Sequence, residues 1–266
     1  MTKKKVLIVG SGSYIGTSFA NDCKDVFDIC VLDSTKELTV SDYVGFDSVL
    51  HVAGIAHVSK KKSMRDLYYK VNRDLAIHSA ELAKQAGVKQ FIFMSSMIIF
   101  GGDNRVGSTK LIDKDTKPNP VDFYGDSKLQ ADLAIQKMNC DTFKTLIIRT
   151  PMVYGPGCKG NYPRLQKLAI KTPILPKLEN QRTVIEIHNL TKFFQKYMEN
   201  GTSGVMYPRD EKPFVTYKVM VDARTSVGKK THLTKIFNPL IIFFSLFFVA
   251  FRKMFGSKIY SNDLPE

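Results

Sequence analysis

Four groups of residues could do chemistry. Gly10-Ser11-Gly12-Ser13-Tyr14-Ile15-Gly16 reads GxGxxG directly after the apolar run Val6–Val9 and ahead of a helical stretch. Glycines there let the backbone turn tightly and approach a pyrophosphate, and the helix N-terminus adds free N–H groups and a favourable dipole. Asp33 closes the second apolar run, 23 residues after Gly10. A carboxylate there accepts hydrogen bonds from ribose hydroxyls and repels a 2′-phosphate, which favours NAD(H). Lys36 beside it keeps NADP(H) as the alternative. Tyr124 and Lys128 form YxxxK, and on a helix these positions share a face. A neighbouring ammonium and a cationic nicotinamide would favour the phenolate, so the tyrosine could trade a proton with a hydroxyl or carbonyl while a hydride moves. Ser96 ends the fourth apolar run, 28 residues before Tyr124, where its hydroxyl could hold the reacting oxygen. Each motif alone also has a plain structural reading: a glycine turn, a turn-opening Asp, a polar strand end, a surface Lys below a core Tyr. Their joint occurrence in this order is far more specific.

The elements that must position these groups alternate. Val6–Val9, Ile29–Leu32, Ser48–Ala53, Phe91–Ser95, Thr145–Arg149 and Val184–Ile187 read as strands buried on both faces. Helices are expected over Met64–Ala86, with Leu67, Val71, Leu75 and Leu82 as its buried stripe, over Ser127–Met138 and over Leu190–Glu199, before a strand at Val205–Tyr207. Such alternation predicts an α/β fold: a Rossmann-like, doubly wound parallel sheet with ligands at the carboxyl ends of its strands. Gly155–Arg182 and Arg209–Glu266 fit the alternation poorly. The expected organisation is a dinucleotide-binding domain of residues 1–154 plus 183–208 and a small C-terminal substrate-binding lobe of residues 155–182 plus 209–266.

Composition bounds the rest. A chain of 266 residues can bury a sizeable core without staples. Its 39 Lys and Arg against 25 Asp and Glu give +14, suited to anionic partners. The cations are scattered, with short runs only at Lys3–Lys5 and Lys60–Lys62, so no nucleic-acid-binding arm is expected. Cys23, Cys30, Cys140 and Cys158 form no CxxC pair and read as free thiols in a reducing cytoplasm. His51, His57, His78, His188 and His232 lack carboxylates at ligand spacing, so no metal site is expected. The apolar run behind the basic N-terminus is too short for a signal peptide. Pro239–Phe251 is apolar nearly all round, yet as a helix it spans only about 20 Å, short of the hydrocarbon core. A buried helix is the first expectation and a peripheral contact with the inner membrane face the second.

Taken together the residues resemble an extended short-chain dehydrogenase/reductase of the NAD-dependent epimerase/dehydratase family. The resemblance runs through Val49–Gly54 (VLHVAG), Val71-Asn72, Phe91–Gly101 (FIFMSSMIIFG), Tyr124–Lys128 and Arg149–Gly157 (RTPMVYGPG). Gly160–Leu165 (GNYPRL), Asn180-Gln181-Arg182 and Phe251–Asn262 are similar to bacterial capsule and O-antigen enzymes, chiefly 4-ketoreductases of UDP-4-keto-6-deoxy-N-acetylhexosamines. The 4-epimerases of UDP-linked or undecaprenyl-diphosphate-linked N-acetylhexosamine share much of the pattern. The resemblance implies Tyr124 as proton donor or acceptor, Lys128 on the nicotinamide ribose and Ser96 on the sugar oxygen. It implies Gly10, Ser13, Tyr14, Ile15 and Gly16 along the pyrophosphate, and Asp33 on the ribose. Ala53, Gly54 and Pro151 would border the cofactor, and Asn161 and Arg182 would contact the substrate diphosphate. A homodimer through the helices at Met64–Ala86 and Ser127–Met138 is also implied. Three positions depart from the family pattern: Ser13 replaces its middle glycine, Phe100 a common Tyr and Thr150 a common Pro. A non-catalytic nucleotide-sensing role is disfavoured because Ser96, Tyr124 and Lys128 are all present.

Overall fold

The structure, a computed structural model, describes residues 3–56 and 62–266. His57 and part of the Lys60–Lys62 run lie outside the described residues. The chain begins β1 (Lys5–Val9), α1 (Tyr14–Cys23), β2 (Asp28–Leu32) and β3 (Ser48–His51). It continues through α2 (Arg65–Tyr69), a π-helical turn (Lys70–Asp74), α3 (Leu75–Gln85), β4 (Gln90–Ser96), β5 (Thr109–Ile112) and α4 (Phe123–Gln136). Next come β6 (Lys144–Thr150), β7 (Met152–Tyr154), α5 (Asn161–Lys171), β8 (Ile174–Pro176), β9 (Val184–Glu186), α6 (Ile187–Asn200) and β10 (Gly204–Met206). The last elements are α7 (Thr216–Thr225), β11 (His232–Thr234), α8 (Asn238–Ser245), α9 (Val249–Phe255) and β12 (Ser257–Tyr260).

Six parallel strands form the main sheet in the order β2-β1-β3-β4-β6-β10. This is the doubly wound, Rossmann-like order, and the strand order reverses between β1 and β3. Residue alternation splits the core into two layers. Leu7, Val9, Phe91 and Phe93 pack beneath the small side chains Ala76, Ala80, Ala83 and Ala131 on one face. Val6, Ile8, Ile92 and Ile148 meet Phe19, Phe194 and Tyr197 on the other. Each fully buried Phe or Ile contributes about 1.5–3 kcal/mol.

Several elements differ from the sequence expectation. β2 is an edge strand, and Val31 is exposed, so that strand is not buried on both faces. β3 ends at His51 rather than Ala53. Val184–Glu186 leaves the main sheet and pairs with β7. The long helix expected over Met64–Ala86 carries a π turn; of its expected stripe Leu82 is buried, while Leu67, Val71 and Leu75 give way to their neighbours Tyr68, Asn72 and Ala76. Leu67 is exposed. Small residues let this helix sit close to the sheet, while the larger Val71 and Leu75 flank the contact. α4 starts at Phe123, four residues before the expected Ser127, because Asp122 caps it: its Oδ1 accepts from the Gly125 N–H at 2.9 Å.

Beyond the main sheet, Leu165, Ala169 and Leu175 pack with Phe214, Met220 and Ala223. The chain's end goes elsewhere. β12 pairs with β5, and Tyr260 and Leu264 pack on Met97, Ile99 and Phe100. The segment Pro239–Phe251 is not one buried helix. α8 and α9 form a bent pair whose outer side chains are exposed, Leu240 by 53% and Phe247 by 65%. No helix among the described residues is long and apolar enough to cross a membrane.

Candidate active site

The glycine loop lies at the reversal point of the sheet. Gly10 has φ +124°, and a Cβ there would lie 2.7 Å from the Ala53 backbone N. Only glycine lets the first loop pass that close to the end of β3. Gly12 has φ +70° with open space around it, so it supplies the turn that a glycine at position 13 would otherwise serve. Ser13 instead caps α1: its Oγ accepts from the Gly16 N–H at 3.3 Å. A Cβ on Gly16 would press 2.9 Å from Ile8, so this glycine sets close helix–strand packing. Ile15 packs against the core behind it. Tyr14 donates its hydroxyl hydrogen to the Pro156 carbonyl at 3.0 Å, tying the loop to the segment after β7. Burial pushes the Tyr14 phenol up to about 12.

Asp33 follows the carboxyl end of β2. Its Oδ1 accepts from the Thr35 N–H (3.0 Å) and Thr35 hydroxyl (2.8 Å), forming a turn that fixes the carboxylate. Those bonds, aided by Lys36, hold the carboxyl below the usual range. Ala53 is buried. Gly54 faces Asn72 and Lys128, where an added Cβ would lie 3.0 Å from Asn72 Oδ1 and 3.3 Å from Lys128 Nζ. Spacing alone gives Asn72 no site role. It accepts from the Ile55 N–H (2.8 Å) and donates to the Ile55 carbonyl (3.0 Å), pinning the Gly54 loop to the π turn. Pro151 is buried just past β6. The loop cradle, the capped helix and the fixed carboxylate suit a dinucleotide: the first-turn N–H groups of α1 lack intrahelical acceptors.

Ser96 and Tyr124 meet, whereas Lys128 is turned to other partners. The Tyr124 hydroxyl is hydrogen-bonded to Ser96, which closes β4 and caps the following 3₁₀ turn through Ile98 N–H. Tyr68 packs edge-on to Tyr124 with ring centroids 5.9 Å apart. Removal from water pushes the Tyr124 phenol up to about 12, while Ser96 pulls the other way. The ammonium that the YxxxK spacing puts beside this phenol is engaged elsewhere: Lys128 Nζ donates to the Met94 carbonyl at 2.9 Å and lies 4.8 Å from the centre of the Phe93 ring. Burial lowers Lys128 to about 8. Lys128 therefore costs stability while charged. Lys128→Met is expected to raise unfolding free energy at pH 7 by about 1–3 kcal/mol while abolishing turnover. The folded lysine loses its proton near 8 and the unfolded one near 10.5. The advantage of the variant must therefore shrink as pH rises through that window, which chemical denaturation at several pH values would show.

Beneath the site lies a network that the motifs do not mark. Arg149 grips Asp132 with two bonds, Nε to Oδ2 at 3.1 Å and Nη2 to Oδ1 at 3.0 Å, and donates to the Tyr207 hydroxyl at 2.7 Å. Ser95, next to Ser96, donates to Asp132 at 2.6 Å. Beside it, Lys258 donates to the Gly101 carbonyl at 2.7 Å and Lys110 to the Phe100 carbonyl, so two cations fasten the loop after Ser96. His51 is a core residue bonded to Ser79, and burial lowers it to about 3, so it stays neutral.

The two residues assigned to a diphosphate are not joined. Asn161 is exposed at the start of α5, behind Gly160 at φ +98°, a cap position without a side chain. Arg182 is partly buried and pairs with Asp103 at 3.0 Å while donating to the Gly256 carbonyl at 3.2 Å. No hydrogen bond links Asn161 and Arg182 among the described residues. The described residues also contain no group of three or more His, Cys, Asp or Glu able to hold a metal ion.

Comparison with known proteins places this geometry among relatives. The UDP-glucose 4-epimerase of Vibrio cholerae is 30% identical over 70% of this chain and 64% of its own length. The N-acetyl-alpha-D-glucosaminyl-diphospho-ditrans,octacis-undecaprenol 4-epimerase of Escherichia coli O157:H7 is 26% identical over 95% of this chain and 81% of its own. The chain thus spans slightly less than two thirds of the first of these relatives. Its fold superposes on dTDP-4-dehydrorhamnose reductase from Bacillus anthracis, solved with NADP, with a TM-score of 0.72 at 18% identity over 87% of this chain and 83% of that one. Residues 3–205 match the NAD dependent epimerase/dehydratase family. A chain that carries a glycine loop at the sheet's reversal point, with Ser96, Tyr124 and Lys128 in the same order, thus belongs to the NAD-dependent epimerase/dehydratase family.

Proposed function

We propose that this protein is an NAD(P)-dependent enzyme acting at carbon 4 of a diphosphate-linked sugar. Its reaction is reduction of the 4-keto group of a UDP-2-acetamido-4-keto-6-deoxyhexose. The observation that carries this reading is the meeting of Ser96, at the carboxyl end of β4, with the Tyr124 phenol on α4. A ketone being reduced needs a proton donor at its oxygen, and a tyrosine phenol carries its proton throughout the neutral range. Ser96 steadies that oxygen. Lys128 supplies positive charge beside the ribose. Gly10, Ser13, Tyr14, Ile15 and Gly16 cradle the pyrophosphate, Asp33 takes the ribose hydroxyls, and Ala53, Gly54 and Pro151 border the ring. A nicotinamide held there supplies the hydride. NAD(H) is preferred because Asp33 presents a fixed negative charge where a 2′-phosphate would sit.

The sugar diphosphate lies over residues 155–182 and 209–266, with the dinucleotide over residues 1–154 and 183–208. Arg182 exchanges Asp103 for the diphosphate, and Asn161 approaches from the start of α5. The protein works in the cytoplasm as a homodimer paired through the outer faces of α2–α3 and α4, where Leu67 and Leu133 are exposed.

A second reading has its own support: both sequence relatives described above are 4-epimerases, one of them of a lipid-diphosphate-linked sugar. In that reaction Tyr124 first removes a hydroxyl proton, and no reduced cofactor is consumed overall. The test is nicotinamide absorbance with a UDP-2-acetamido-4-keto-6-deoxy sugar. Stoichiometric loss of reduced cofactor, faster with NADH than NADPH, is expected. No loss, with interconversion of UDP-N-acetylglucosamine and its 4-epimer instead, would transfer the assignment to the epimerase.

A further inference from the structure

We propose that the outer face of the α8–α9 pair docks the protein onto a lipid bilayer with anionic headgroups. Nine of the twenty exposed large apolar side chains among the described residues lie between Ile236 and Val249, so the apolar surface is concentrated there. It is not a loosely packed core. Ile241 is buried against Val106, Leu178 and Phe255, Ser245 Oγ accepts from the Val106 N–H at 3.1 Å, and Asn238 donates to the Lys177 carbonyl at 2.8 Å. The inner face is fastened, and helical spacing then points Leu240, Phe243 and Phe247 outward.

Charge selects the occupant. Residues 223–262 contain no Asp or Glu. Lys229, Lys230, Lys235 and Lys253 within that stretch are exposed. A second copy seated there would set these cations against one another, whereas an anionic bilayer complements them. At about 1.5 Å per residue the two helices are far shorter than the hydrocarbon core, so they lie on the surface and do not span it. The same pair ends at Gly256, whose carbonyl holds Arg182. Docking there places the proposed diphosphate seat beside the headgroups; this last point rests on the function proposed above, and the docking itself does not.

The experiment is sedimentation of the full chain, without substrate, with phosphatidylcholine vesicles lacking or containing about one-third phosphatidylglycerol. The protein should pellet with the anionic vesicles and remain soluble with the neutral ones. The double variant Phe243→Asp/Phe247→Asp should lose at least about tenfold in vesicle partitioning, with unchanged circular dichroism, because both rings are exposed. Protein that stays in the supernatant at low salt overturns the proposal, as does a double variant that binds like the parent. So does a mass measured by light scattering that falls from dimer to monomer in the double variant with no vesicle binding by either form: a second copy would then cover this face.

Discussion

Tyr124→Phe is expected to leave the protein folded, with cofactor affinity nearly unchanged, and to lower kcat about a thousandfold, the scale of a lost proton donor. The ring stays against Tyr68, so packing is conserved and only the hydroxyl bonded to Ser96 goes. The pH profile separates the roles of the two motif residues. Tyr124, raised to about 12, keeps its proton across the working range. Lys128, lowered to about 8, does not. If its charge is what the ribose and the developing oxyanion need, kcat/KM must fall as pH rises through about 8 rather than through 10 or above. Tyr124→Phe should keep that alkaline limb on its residual rate. A variant retaining a tenth or more of the parental turnover would remove Tyr124 from the mechanism.

Much of this site is legible in the chain because its requirements are local. GxGxxG after a strand, an acidic residue at the next strand end and YxxxK each need only a few contiguous residues and one element boundary. The departures arise where the deciding contact is remote. Arg182 reads as a free phosphate ligand until the fold brings Asp103 to it from 79 positions away. YxxxK predicts an ammonium beside the phenol, yet the Met94 carbonyl, on a different element, claims Lys128. The stripe on the Met64–Ala86 helix shifts because alanines, not leucines, allow close approach to the sheet, and because a π turn at Lys70–Asp74 interrupts the 3.6-residue period. Asp122 is itself an N-terminal signal, an Asp directly ahead of the helical run that begins at Phe123. The apolar run at Pro239–Phe251 reads as a buried helix or a peripheral membrane contact alike, since periodicity cannot tell a buried stretch from an exposed apolar face when nearly every residue is apolar.

The largest stability effect is expected at Asp132, which no motif marks. Its side chain is fully buried and accepts from Arg149, Ser95 and Gln136, while Arg149 is only 10% exposed. Removing the carboxylate by Asp132→Ala strands a guanidinium in the core, at a cost of about 3–5 kcal/mol. In a chain of this size that lowers the thermal midpoint by roughly 10 °C. Removing both charges should cost far less, because an apolar pair of similar volume no longer bears the desolvation of two ions. Asp132→Leu with Arg149→Met is therefore expected to recover most of the midpoint. It should not recover turnover. Ser95 loses its partner in both variants, and Lys128, one helical turn before Asp132, loses the carboxylate that raises its pKa. Calorimetry and kcat on the single and double variants separate the two effects. If the double variant is as unstable as Asp132→Ala, the ion pair is not the source of the cost. If it regains full activity, the network supports the sheet and has no part in positioning Ser96 and Lys128.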